Sequence, residues 1–146
     1  MDLFIQRYAR NFLRSTYARL GHHTKSNDEH TDVLLRSTIA KWACDMELDE
    51  CIDEAREDFH SWMRADEDDD DDDDDDEPDE DEDDEDDGYD IDVELRAQVY
   101  CTGVAQGGEE EWNFVWEKYL TNQVPSEQKK LLLALPCTKH IWLLNK

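Results

Sequence analysis

No stretch of this 146-residue chain approaches the 18 or so apolar residues that a membrane span needs. Its opening Met1-Asp2-Leu3-Phe4-Ile5-Gln6-Arg7 is charged too early for the apolar core of a secretory leader. Alternation of apolar and polar residues, the mark of a half-buried strand, is not sustained anywhere, which argues against a sheet architecture. Basic residues are few: 15 Lys and Arg stand against 41 Asp and Glu, a formal net charge of −26, and a chain of that sign is repelled by nucleic acid. No residue constellation with a recognisable catalytic spacing is present. There is also no Cys-x-x-Cys pair, so the four cysteines offer no ready tetrahedral zinc set.

The acidity belongs to one segment. Twenty-one of the 41 acidic residues fall between Asp66 and Asp87, a run broken only by Pro78, and the remaining 20 against 15 basic residues leave about −5 for everything else. Adjacent carboxylates with nothing to bury repel one another into an extended, solvated form. The run therefore reads as a disordered insertion at a surface turn, where added length costs little closure entropy. It could hold calcium weakly or attract a basic partner, but its ordinary role is a solvated spacer.

On either side, apolar residues recur at helical spacing. From Leu3 to Leu20, Ile5, Tyr8 and Phe12 share one side while Leu13, Tyr17 and Leu20 drift round it, and Gly21 is placed as a C-cap. His22 to Thr31 is polar. The His22-His23 pair in it is a metal candidate whose plainer explanation is an exposed loop. Leu35, Ile39, Trp42, Ala43 and Met46 then mark an amphipathic helix. After a break at Leu48-Asp49, with Asp49 placed as a cap, Ile52, Ala55, Phe59, Trp62 and Met63 mark another that should pack antiparallel to it. Beyond the acidic run a helix is expected from about Val93 to Gln106, stopped by Gly107-Gly108. Glu109-Glu110-Glu111 opens the next at the positive end of its dipole, with Trp112, Val115, Trp116, Tyr119 and Leu120 on one stripe. The Trp112, Trp116 stripe reads as core before it reads as a ligand platform. Pro125-Ser126 starts a last full helix, Pro136 ends it, and Ile141, Trp142, Leu143 and Leu144 form a final apolar edge without a cover. The fold class is all-α: antiparallel helix pairs in an α-solenoid or superhelical fragment, of the kind HEAT and armadillo arrays build.

Cys44 ends one helix and Cys51 opens the next, with six residues between them. Cys101 and Cys137 are separated by 36 positions across the Gly-Gly break. The residues alone allow either two disulfides or four buried thiols.

These blocks together resemble the C-terminal helical domain of the M1-type zinc aminopeptidases, the aminopeptidase N and endoplasmic-reticulum aminopeptidase group. The resemblance is carried by Leu35-Arg36-Ser37-Thr38-Ile39-Ala40-Lys41-Trp42-Ala43-Cys44, Glu50-Cys51 and Phe59-His60-Ser61-Trp62-Met63. In the second half it rests on Leu95-Arg96, Val99-Tyr100-Cys101, Gly107-Gly108 through Trp112 to Trp116, Leu132-Leu133-Ala134-Leu135, Cys137 and Trp142-Leu143-Leu144-Asn145. It implies disulfides Cys44–Cys51 and Cys101–Cys137, and structural roles for Arg96, Tyr100, Gly107, Gly108, Trp112 and Trp116. It implies one domain, here in two parts, 1–64 and 91–146, divided by the acidic insertion at 65–90, where the family usually has a short connection. It further implies a catalytic domain as partner in cis, homodimers in some members, and an extracellular, plasma-membrane or endoplasmic-reticulum lumenal setting.

Zinc belongs to the full-length family enzyme, which carries a His-Glu-x-x-His helix and a Gly-x-Met-Glu-Asn motif. His22, His23, His30, His60 and His140 include no His-Glu-x-x-His, and Asp45-Met46-Glu47-Leu48 is not the amine-binding motif. No cofactor is therefore expected on this chain, and alone it should not hydrolyse peptides. The role implied is non-catalytic, enclosing the active-site chamber; the alternative is a stand-alone module for protein interaction or dimerisation.

Overall fold

The computed structural model describes residues 3–69 and 91–146. Six α-helices make up most of it: α1 (Leu3–Leu20), α2 (His30–Asp45), α3 (Asp49–Asp69), α4 (Arg96–Gln106), α5 (Glu109–Thr121) and α6 (Pro125–Ala134). Two 3-10 turns follow, Leu135–Cys137 and Ile141–Asn145, and the described residues include no strand. Each helix packs on the next along the chain, and α4 also touches α2 and α6. The result is an all-helical array, as the sequence leads one to expect.

The ends of the helices show why they stop. Gly21 takes a left-handed φ of 77° and its N–H donates to Tyr17 O at 2.8 Å, which turns the chain back after α1. The α2–α3 connection is tighter. Glu47 sits at φ 56°, its N–H donates to Cys44 O, and Leu48 N–H reaches back to Ala43 O, both at 2.9 Å. This is a Schellman closure with a non-glycine residue in the left-handed position, and Leu48 completes it by burying fully. Asp49, expected as a cap, is the first residue of α3. Between α4 and α5, Gly108 N–H donates to Glu111 Oε2 at 2.7 Å, so one acid of the expected triplet caps the helix directly.

One core runs through the array, from Tyr17 and Ala40 through Phe59, Val99, Val104 and Val115 to Leu131 and Leu143. Its middle is the α3–α4 contact. Phe59 is fully buried against Gly103, where a Cβ would lie 2.3 Å from the ring. Beside it Trp62 stacks on Tyr100 at 4.7 Å between centroids and meets Phe114 edge-on at the same distance.

Several faces differ from the periodicity. On α1 the buried residues are Leu13 and Tyr17, whereas Ile5, Tyr8 and Phe12 are exposed. On α2 the small residues Ala40, Ala43 and Cys44 are inside, and Leu35 and Trp42 lie outside. Close helix approach favours small side chains on the inner face and leaves the large ones around its edge. Helix α4 begins at Arg96 rather than Val93, because Leu95 and Arg96 donate to Asp92 O in a turn that precedes it. Helix α3 runs to Asp69, past the boundary expected at 64, and its Asp66 forms an ion pair with Lys118 of α5. The disordered insertion expected over 65–90 lies, from residue 70 onward, outside the described residues.

Candidate functional site

The cysteines pair within each half. Cys44 bonds Cys51 across the α2–α3 turn, with Cα atoms 5.3 Å apart. Cys101 on α4 bonds Cys137 in the turn after α6, with Cα atoms 5.4 Å apart.

Arg96 and Tyr100, one turn apart on α4, converge on a single acid that local pattern did not mark. Tyr100 Oη donates to Glu127 Oε1 at 2.5 Å, and Arg96 Nη1 lies 3.3 Å from Glu127 Oε2. Arg96 Nε also donates to Ile91 O at 3.0 Å. These groups border a pocket of about 260 Å³ together with Trp62, Lys118, Asn122 and Leu131. The volume is small for a peptide, and the arrangement fastens α6 onto α4. Trp112 and Trp116 stack 5.8 Å apart, but only Trp112 is buried. Trp116 is 39 % exposed and lines a second pocket of about 390 Å³ with Leu143 and Leu144. The tryptophan stripe is thus half core and half surface.

The densest polar cluster is elsewhere. The left-handed turn at Gly21 sends His22 back against α3, where it is 3 % exposed, in contrast to the exposed loop expected for it. His22 Nε2 lies 3.0 Å from Asp58 Oδ2, and His23 Nε2 lies 2.9 Å from Asp58 Oδ1. Behind them Tyr17 Oη is 2.9 Å from His22 Nδ1 and donates to Glu54 Oε2 at 2.5 Å. Burial, and then the bond to Glu54, hold the Tyr17 phenol above its ordinary value of 10. For His23, burial is the largest single influence and favours the neutral ring. The Asp58 hydrogen bond and the charges of Asp58, Asp92 and Glu54 together outweigh it, so its pKa is raised.

The loop that carries the histidines is tied at both sides. Thr24 donates its N–H and Oγ1 to Asp92 Oδ2 at 2.8 and 2.9 Å. Buried Arg36 donates from Nε to Leu20 O at 3.1 Å and from Nη1 to Asp28 Oδ2 at 2.5 Å. That contact, then Lys25 N–H, lowers the Asp28 pKa. Sequence reasoning found the His22-His23 pair but not its partners. Glu54 and Asp58, four apart on α3, were the available signal.

With these features in hand the chain can be placed. The profile of the ERAP1-like C-terminal domain matches residues 3–146. Aminopeptidase N of Bos taurus is 32 % identical over 119 residues, covering 82 % of this chain and 10 % of the bovine protein. Aminopeptidase N of Mus musculus is 35 % identical over 104 residues, 71 % of this chain and 9 % of the mouse protein. Glutamyl aminopeptidase of Bitis rhinoceros is 31 % identical over 121 residues, again 82 % and 10 %. The chain belongs to the ERAP1-like C-terminal domain family, the helical C-terminal domain of M1 aminopeptidases. It spans about a tenth of the length of the curated relatives it matches.

Proposed function

We propose that this chain acts as the non-catalytic helical wall of an M1 aminopeptidase, packing in cis on a catalytic domain and enclosing the chamber in which N-terminal residues are removed from peptides. The observation that carries this is the family match over residues 3–146. The surface is consistent with it. Leu3, Phe4, Ile5, Tyr8 and Phe12 present an exposed apolar flank on α1, and Ile141, Trp142 and Leu144 present another at the opposite end of the chain, both suited to burial against further helices. The zinc of the full enzyme would belong to the catalytic domain. The sequence has no His-Glu-x-x-His helix, and His22 and His23 are adjacent in a turn rather than one helical turn apart, so the residues here do not fit that metal's site. Two disulfides suit an oxidising setting such as the cell surface or the endoplasmic-reticulum lumen.

The test is complementation. Bovine aminopeptidase N lacking the segment matched by this chain is secreted with and without the chain, and hydrolysis of an alanyl coumarylamide is measured. Co-purification with recovered hydrolysis is expected, with no hydrolysis by the chain alone. A folded chain that neither binds nor restores activity, and instead elutes as a homodimer, would overturn the proposal in favour of a separate interaction module.

A further inference from the structure

We infer that His22 Nε2, His23 Nε2 and the Asp58 carboxylate form a binding site for a divalent transition metal of the zinc class. The first support is the way the donor atoms face one another. Tyr17 Oη donates to Glu54 Oε2 and lies 2.9 Å from His22 Nδ1. With Nδ1 engaged there, His22 turns its opposite nitrogen, Nε2, toward Asp58 Oδ2 at 3.0 Å. A metal ion can take the place of the proton that otherwise joins an imidazole to a carboxylate. His23 repeats the arrangement on the other carboxylate oxygen at 2.9 Å.

The second support is geometry. The ligand atoms of His22, His23 and Asp58 lie within 4.8 Å of one another. A tetrahedral zinc with bonds of 2.0–2.2 Å places its ligands about 3.4 Å apart, so as the ion enters the two short contacts open by about half an ångström and the widest ligand separation closes toward the same value. Two imidazoles and a carboxylate are a donor set that zinc, cobalt and copper prefer over calcium or magnesium. The outer contacts are those a metal-bound histidine requires: Nδ1 of His22 is held by Tyr17, which is held in turn by Glu54. All four cysteines are in disulfides, so no thiolate competes for the ion. The ring of His23 is 61 % exposed, which gives an ion a way in and leaves a fourth position for water. This site is separate from the catalytic zinc of the full enzyme and does not rest on the proposed function.

The experiment titrates the whole oxidised chain with zinc against a chromophoric chelator, in millimolar magnesium to occupy the acidic run. Cobalt is then added in place of zinc to read the visible d–d bands. His23→Gln is the diagnostic variant, because its exposed ring can be removed without opening the core. Expected are one equivalent of zinc, a tetrahedral cobalt spectrum, a rise in Tm with zinc, and a loss of at least about tenfold in affinity for His23→Gln with its zinc-free Tm unchanged. Absence of stoichiometric zinc from the wild-type chain would mean that only a proton bridges the cluster, and would overturn the inference. Equal zinc affinity in wild type and His23→Gln would do the same by placing the ion elsewhere.

Discussion

Replacing Gly103 by alanine tests the central helix contact most directly. In an ordinary helix interior the exchange stabilises by about 1 kcal/mol, because glycine has the greater backbone freedom to lose. Here a Cβ would stand 2.3 Å from Phe59 Cγ, 2.4 Å from Cδ2 and 2.8 Å from Cδ1. The ring has little room to retreat, since Trp62 and Phe114 meet it edge-on at 5.7 and 6.0 Å. Overpacking costs about 1–3 kcal/mol in well-filled cores and more when the intruding atom meets a fixed ring. Against the propensity gain, Gly103→Ala should destabilise by about 2 kcal/mol and lower Tm by roughly 6–10 °C. The assay is urea and thermal unfolding followed by far-ultraviolet circular dichroism, with Gly108→Ala as control. At Gly108 a Cβ meets only Glu111 Oε2, at 3.9 Å, and the loss should stay under about 1 kcal/mol. Adding Phe59→Leu should relieve part of the clash, so the double variant loses less than the sum of the singles. A Gly103→Ala chain as stable as wild type would show that α3 and α4 do not approach this closely.

Three further outcomes follow from the helix ends and cross-links. Glu47→Gly should stabilise by about 0.5–1 kcal/mol in the same melts, because glycine accepts the left-handed φ of 56° without a Cβ penalty. Opening Cys101–Cys137, which closes a 36-residue separation, should cost about 4 kcal/mol and opening Cys44–Cys51, separated by 7, about 2; Cys101→Ser and Cys44→Ser melts without reductant give the order. Asp28 has a lowered folded-state pKa, so its contribution is complete above the ordinary carboxylate value and is lost as pH falls through the folded one. The difference in Tm between wild type and Asp28→Asn should therefore hold from pH 7 down to the ordinary carboxylate range and shrink progressively as pH falls below it.

The helices were legible because their limits are local. Gly21, Gly107-Gly108 and Pro125 mark turns that sequence alone can read, and the array architecture follows from short connections between amphipathic stretches. Which side faces inward was less legible. Periodicity scores Tyr8, Phe12 and Trp42 as core, but they are exposed while Ala40 and Ala43 are inside. The small residues decide how near two helices come, and that is a property of the pair. The candidate site escaped for a similar reason. Tyr17, His22, Glu54 and Asp58 lie on three elements, and only the turn at Gly21 brings them together. Glu127 is likewise 31 positions from Arg96 and 27 from Tyr100.

The placement of the two disulfides bears on how the chain would come apart. One lies wholly before residue 70 and the other wholly after residue 90. A protease cut between those positions leaves two pieces with no covalent bond between them, in oxidising or reducing solution alike. What holds them is the seam of Phe59 and Trp62 against Gly103, Tyr100 and Phe114, together with the Thr24–Asp92 hydrogen bonds and the Asp66–Lys118 ion pair. The two halves are in effect complementary fragments: made separately, each with its own cross-link, they should find one another and rebuild the array.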